Sequence, residues 1–213
     1  MEDEKLFNKT YLAVKFTTES CELLSLSIKT RYKAILIVHK YIKDCELIPC
    51  IIAALNIACK LEEQVCDLKN IVIVVTHLAC VYQGTNPQSH PGPKISLKEH
   101  LELKEKAIKY EYVILVDNGF DIQVVDIYQT FFEKYFKNKE FSTLFYRLNT
   151  VLFNKEVCSS NIFELIEDVD LYERTMGPFR SLKTRKIDLN TFECKNIEVN
   201  LIEPLLKKFL ARK

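Results

Sequence analysis

The chain has 213 residues, 48% of them hydrophobic and 28% charged, which is enough apolar material for one average domain or two small ones and too much for a disordered chain. Lys and Arg total 30 against 29 for Asp and Glu, a formal net charge of +1, which excludes a field that would recruit nucleic acid or an anionic membrane by charge alone. Four glycines and six prolines are too few for a turn-rich all-β fold of this length, so the expected class is all-α.

Residues Met1 to Phe16 mix charge and aromatics without a clear period, and read either as an arm packed on the body or as a frayed end. A first helix is expected after Thr17 or Thr18, both candidate N-caps, running through Leu23, Leu24 and Leu26. A second covers about Thr30 to Ile42, with Tyr32, Ile35, Leu36, Val38, His39 and Ile42 facing inward. Pro49 to Glu63 then reads PCIIAALNIACKLEE, and between Cys50 and Cys59 only Asn56 is polar. A helix with that pattern is apolar on every side and belongs at the centre of the fold. Its far end turns abruptly to Lys60, Glu62 and Glu63, so Lys60 is expected at a rim, compensating the helix dipole and pairing with Glu63.

Asp67 is a candidate N-cap for LKNIVIVVTHLACVY, a β-branched run that propensity alone assigns to a strand. The stretch from Gln83 to Lys94 gathers three prolines and two glycines and reads as a surface loop. Ser96 and Glu99 form a Ser-x-x-Glu capping box that opens a helix to about Asp117, with Gly119 as its left-handed cap. Leu101, Ile108 and Leu115 repeat at seven along it, and Glu111 falls on the same stripe. A carboxylate on an apolar stripe needs a donor; Lys104 and Arg31 are the plain candidates.

Past Phe120 a second helical half is expected. Val125, Tyr128, Phe131, Phe132, Tyr135 and Phe136 suggest one helix, and Phe141, Leu144, Phe145, Leu148, Val151 and Leu152 form the face of the next. A third follows Ser159 or Ser160 through Ile162, Leu165, Ile166 and Val169. Gly177-Pro178 then opens a basic, aperiodic segment to about Asn196, read as a solvated loop. The chain closes on an amphipathic stripe, Val199 to Leu210, whose helix Pro204 opens or kinks.

Eight cysteines, none in a C-x-x-C, sit mostly in apolar helical runs behind a charged N-terminus, and read as reduced, buried thiols of an intracellular protein. His77 and Cys80 could share a helix face but find no third ligand by spacing, so no metal is expected. No apolar run reaches the ~20 residues of a membrane span. Phosphate loops, zinc-protease signatures and nucleophile-base arrangements are absent from the sequence, so no cofactor and no enzyme activity are expected.

Three segments, AALNIACKLEE, LKNIVIVVTHL and AIKYEYVILVDNGF, resemble in order the third, fourth and fifth helices of a cyclin box. The chain is similar to cyclins of the transcriptional type over about Cys21 to Phe136, most of all the cyclin L type, then cyclins K, T and C; the closing LLKKFLARK also resembles the end of the cyclin L second box. The resemblance implies that LKNIVIVVTHL is a helix, and that the fold is an N-terminal arm and a complete five-helix cyclin box over residues 1–118 followed by a shortened or diverged second helical repeat over 119–213. No small-residue apolar helix marks the core of that second repeat. The resemblance further implies a nuclear regulatory subunit that activates a cyclin-dependent protein kinase in RNA polymerase II transcription or coupled splicing, without binding nucleic acid directly. Lys60 and Glu111 would hydrogen-bond the kinase, with Leu61, Ile108 and Leu115 adding apolar area. The alternatives are a cyclin-fold adaptor of the general transcription factor type without a kinase, and an unrelated helical enzyme with a reactive cysteine, which a low thiol pKa would support.

Overall fold

The computed structural model describes residues 2–82, 96–122, 127–154 and 162–182, and all regular structure among them is helical. These residues fall into two compact units, one reaching Ile122 and the other carrying the helices from Ile127 onward.

The first unit is built round α3 (Leu47–Leu61), in which every residue from Leu47 to Cys59 is buried. Apolar side chains on all sides leave it no face for water, and α1 (Glu2–Leu23), α2 (Ile28–Tyr41), α4 (Leu68–Tyr82) and α5 (Leu97–Asp117) all pack against it. Pro49 lies in its first turn, where no intrahelical donor is required. Ala53, Ala54 and Ala58 are at most 1% exposed and let the neighbouring helices approach closely.

At the N-terminus the structure departs from the expectation. Thr17 and Thr18 are not N-caps: α1 runs straight through them, and their hydroxyls donate back to the carbonyls of Ala13 (2.7 Å) and Val14 (2.9 Å). Tyr11, Leu12, Val14 and Phe16 are core residues. The second helix starts on Ser27, whose hydroxyl accepts from the Thr30 amide. Leu36, expected inside, is only half-buried, and Ala34 and Ile37 take the inner face with Ile35 and Val38.

The β-branched segment is helix, as the resemblance implied and against its propensity: α4 begins on the Asp67 carbonyl and keeps Ile71, Val72, Ile73 and Val75 in the core. His77, half-buried on α4, leaves its Nδ1 without a hydrogen-bond partner among the described residues, and burial lowers its pKa below 6.5. The folded state therefore resists the proton that the unfolded chain accepts. This contribution to stability is complete above 6.5 and is lost as pH falls through the lower folded value. Melting temperature is expected to drop over that acidic window, and less steeply in His77→Gln.

The capping box of α5 is present, with the Glu99 amide 3.2 Å from Ser96 Oγ and the Ser96 amide 3.0 Å from Glu99 Oε2. At its other end the Phe120 amide reaches the Leu115 carbonyl at 2.8 Å and the Gly119 amide that of Val116 at 3.0 Å, a Schellman closure with Gly119 at φ +59. The end of α3 closes in the same way, Gln64 to Cys59 and Glu63 to Lys60, but with Glu63 at φ +50. A Cβ is unfavourable there, so Glu63→Gly is expected to stabilise the unit by about 0.5–1 kcal/mol in urea unfolding, unlike most glycine substitutions.

The second unit contains α6 (Ile127–Tyr135), α7 (Phe141–Val151), α8 (Ile162–Glu167) and α9 (Val169–Leu182). Tyr128, Phe131, Tyr135, Leu144, Leu148 and Val151 form its buried centre, with rings of Phe131, Phe141 and Phe145 in mutual contact. Phe132 and Phe136, which with their neighbours suggest this helix from the sequence, are 40% and 74% exposed. The helix expected to run on to Val169 stops at Asp168, whose carboxylate accepts from the Leu171 amide at 2.9 Å and caps α9. Gly177-Pro178 does not open a loop, since α9 continues to Leu182. The Val199 to Leu210 stripe and the Gln83 to Lys94 loop lie outside the described residues.

Candidate functional site

Two helices of the first unit bring the expected charged residues together. The dense apolar run that buries α3 ends at Cys59, so Lys60 is the first residue of that helix to emerge, with 63% of its side chain exposed. On α5 the buried line is Ala107, Glu111 and Ile114, spaced by four and three. Glu111 is 8% exposed, and the packing of α5 on α3 sets its carboxylate against Lys60. Lys60 Nζ donates to Glu111 Oε1 as a close ion pair.

The other carboxylate oxygen is held by Asn56, whose Nδ2 donates to Glu111 Oε2 at 2.7 Å. Asn56 was passed over as a site residue. The signal was visible in its being the lone polar residue of an apolar run and in its position four before Lys60, on the same helix face. A buried carboxylate thus has one neutral and one charged donor, the satisfaction that its burial requires. Neither Lys104 nor Arg31 is the partner; Arg31 lies 3.8 Å from Glu22. The pairing of Lys60 with Glu63 is likewise replaced, and the neighbouring Glu62 bonds Lys33.

The heptad stripe needs a second correction. Leu101 and Ile108 are 48% and 46% exposed and Leu115 is half-buried, so they do not share the buried line of Glu111. At about 100° per residue they sit roughly 40–80° round the helix from Glu111, all on one side. Tyr112, 65% exposed, extends that flank. Leu61, next to Lys60, is 36% exposed. The arrangement is an ion pair at a helix-helix seam with an exposed apolar flank beside it, a surface of the kind that partners cover.

The six described cysteines are free thiols; Cys21, Cys50, Cys59 and Cys80 are buried, while Cys45 and Cys66 are half-buried. A hydrogen bond from Cys50 and the Lys9 charge lower the Cys45 thiol to about 7 against the opposing effect of burial. Among the described residues no three His, Cys, Asp or Glu side chains form a group that could hold a metal, and no helix is long and apolar enough to cross a membrane. No protein-family model matches the chain. No curated protein matches it either.

Proposed function

We propose that the chain is a cyclin-type regulatory subunit, not itself an enzyme, that binds and activates a cyclin-dependent protein kinase serving RNA polymerase II transcription or coupled splicing in the nucleus. The observation that carries this reading is the Lys60–Glu111 pair, set at the α3–α5 seam beside the exposed Leu61, Ile108 and Tyr112. It adds a spatial relation to residues first singled out by resemblance.

In this reading the apolar flank covers the kinase's regulatory helix, whose glutamate must pair with the nucleotide-binding lysine before phosphoryl transfer can occur. Binding only the active arrangement shifts the kinase's population towards it. Lys60 has ammonium hydrogens beyond the one given to Glu111, and the carboxylate has lone pairs beyond those taken by Lys60 and Asn56. The pair therefore retains one donor and one acceptor for backbone groups at the ends of the kinase helix, and a ready-made pair needs little reorganisation on binding.

The test is to retrieve partners from the protein's own cell extract with the wild type and with Lys60→Ala/Glu111→Ala, followed by mass spectrometry and assay on a polymerase-tail peptide. The wild type is expected to retain an active cyclin-dependent kinase that the double variant loses. Equal retention of non-kinase partners by both would replace this reading with the adaptor.

A further inference from the structure

We propose that Asn56 is a positioning residue for the kinase contact, holding the Glu111 carboxylate so that Glu111 and Lys60 keep hydrogen-bonding capacity for the partner. The inference rests on the kinase-binding reading above and deepens it. Asn56 is 7% exposed, too buried to be a contact itself, and acts through Glu111.

Asn56 and Lys60 stand four apart on one face of α3, and both reach the same carboxylate of α5. They do so from different depths. Asn56 Nδ2 holds Oε2 inside the seam at 2.7 Å, while Lys60, with 63% of its side chain exposed, holds Oε1 at the rim. With one oxygen bonded at each depth, the carboxylate is fixed about its last torsion, which is otherwise a soft one.

Without Asn56, Lys60 is the only donor left to both oxygens. The Glu111 side chain is 11% exposed, and an acceptor left unpaired there is costly, so the carboxylate would turn both oxygens to the ammonium. That arrangement consumes the lone pair and the ammonium hydrogens that a partner's backbone needs. Asn56 prevents it by occupying the inner oxygen.

The choice of an amide also sets the charge. A second cation at this position would make the cluster net positive and suited to an anion, whereas an apolar residue would leave Oε2 without its donor. A neutral donor keeps Lys60 and Glu111 a balanced pair, matched to neutral dipoles such as peptide groups. Glu62, the acid two residues past Lys60, is kept from competing by its own bond to Lys33.

The test immobilises the full chain and quantifies, per folded chain, the cyclin-dependent kinase it retains from extract at low and at high salt. In Asn56→Ala retention is expected to fall on the order of 5- to 10-fold. The loss should grow with salt, because only the screened Lys60 charge then holds the carboxylate. Asn56→Ser, shorter but still polar, is expected to fall in the same direction and serves if Asn56→Ala does not fold. Asn56→Gln, the same amide on a longer stem, should recover part of the loss. Leu55→Ala, which empties buried volume on the same helix without touching the carboxylate, should retain the kinase as the wild type does and with its salt dependence. In the free chain, NMR is expected to show one Asn56 side-chain amide proton shifted downfield, and to lose that shift in Glu111→Ala. Wild-type retention by Asn56→Ala, a matching loss in Leu55→Ala, or an Asn56 amide indifferent to Glu111 would overturn the assignment. A wild-type chain that retains no cyclin-dependent kinase would instead remove the kinase reading beneath it.

Discussion

Glu111→Ala is expected to lower the unfolding free energy of the first unit by about 1–3 kcal/mol, a large effect for one side chain on an outer helix. The loss falls chiefly on Asn56, 7% exposed, whose amide would be left without its acceptor inside the α3–α5 seam. Lys60 contributes less, because its mostly exposed ammonium returns to water when the carboxylate is removed. Glu111→Gln should recover much of the loss, since an amide oxygen can still accept from Asn56. Urea unfolding of both variants checks the order; equal destabilisation by Gln and Ala would mean that the charge, and not the Asn56 bond, holds the seam.

A larger loss, about 2–5 kcal/mol, is expected for Leu55→Ala. Leu55 is fully buried in a helix packed by α1, α2, α4 and α5, so its truncation leaves a cavity enclosed by packed helices. Leu55→Met, which conserves volume, should cost less than about 1.5 kcal/mol. The same truncation at Leu101, 48% exposed on α5, should be nearly silent. Comparing these midpoints in urea tests whether α3 is the centre on which the unit depends.

How far these features could be read in advance varied with the physics at each position. The central helix was legible because a run with a single polar residue has only one stable environment. Ser96, Glu99 and Gly119 were legible because caps act locally. The helix at the N-terminus was missed because α1 packs against three helices at once, so its buried arc is wide and shows no narrow period. Thr17 and Thr18 looked like caps from composition alone, whereas a threonine hydroxyl can equally bond its own helix four residues back. The α5 stripe was misplaced by following a seven-residue repeat on a helix that turns every 3.6 residues. Glu111 was singled out, but its donors come from a different helix, and a tertiary contact of that kind leaves no trace in local spacing.

The proposed role requires the flank beside Lys60 and Glu111 to engage a kinase. Ile108→Glu is the sharpest probe, because Ile108 is 46% exposed and its replacement leaves the buried line of Ala107, Glu111 and Ile114 untouched. Its melting curve should match the wild type, while the cyclin-dependent kinase retained from extract, and its activity on a polymerase-tail peptide, should fall at least ~10-fold, the effect of burying an unpaired charge in an interface. Unchanged kinase retention by a folded Ile108→Glu chain would contradict the account.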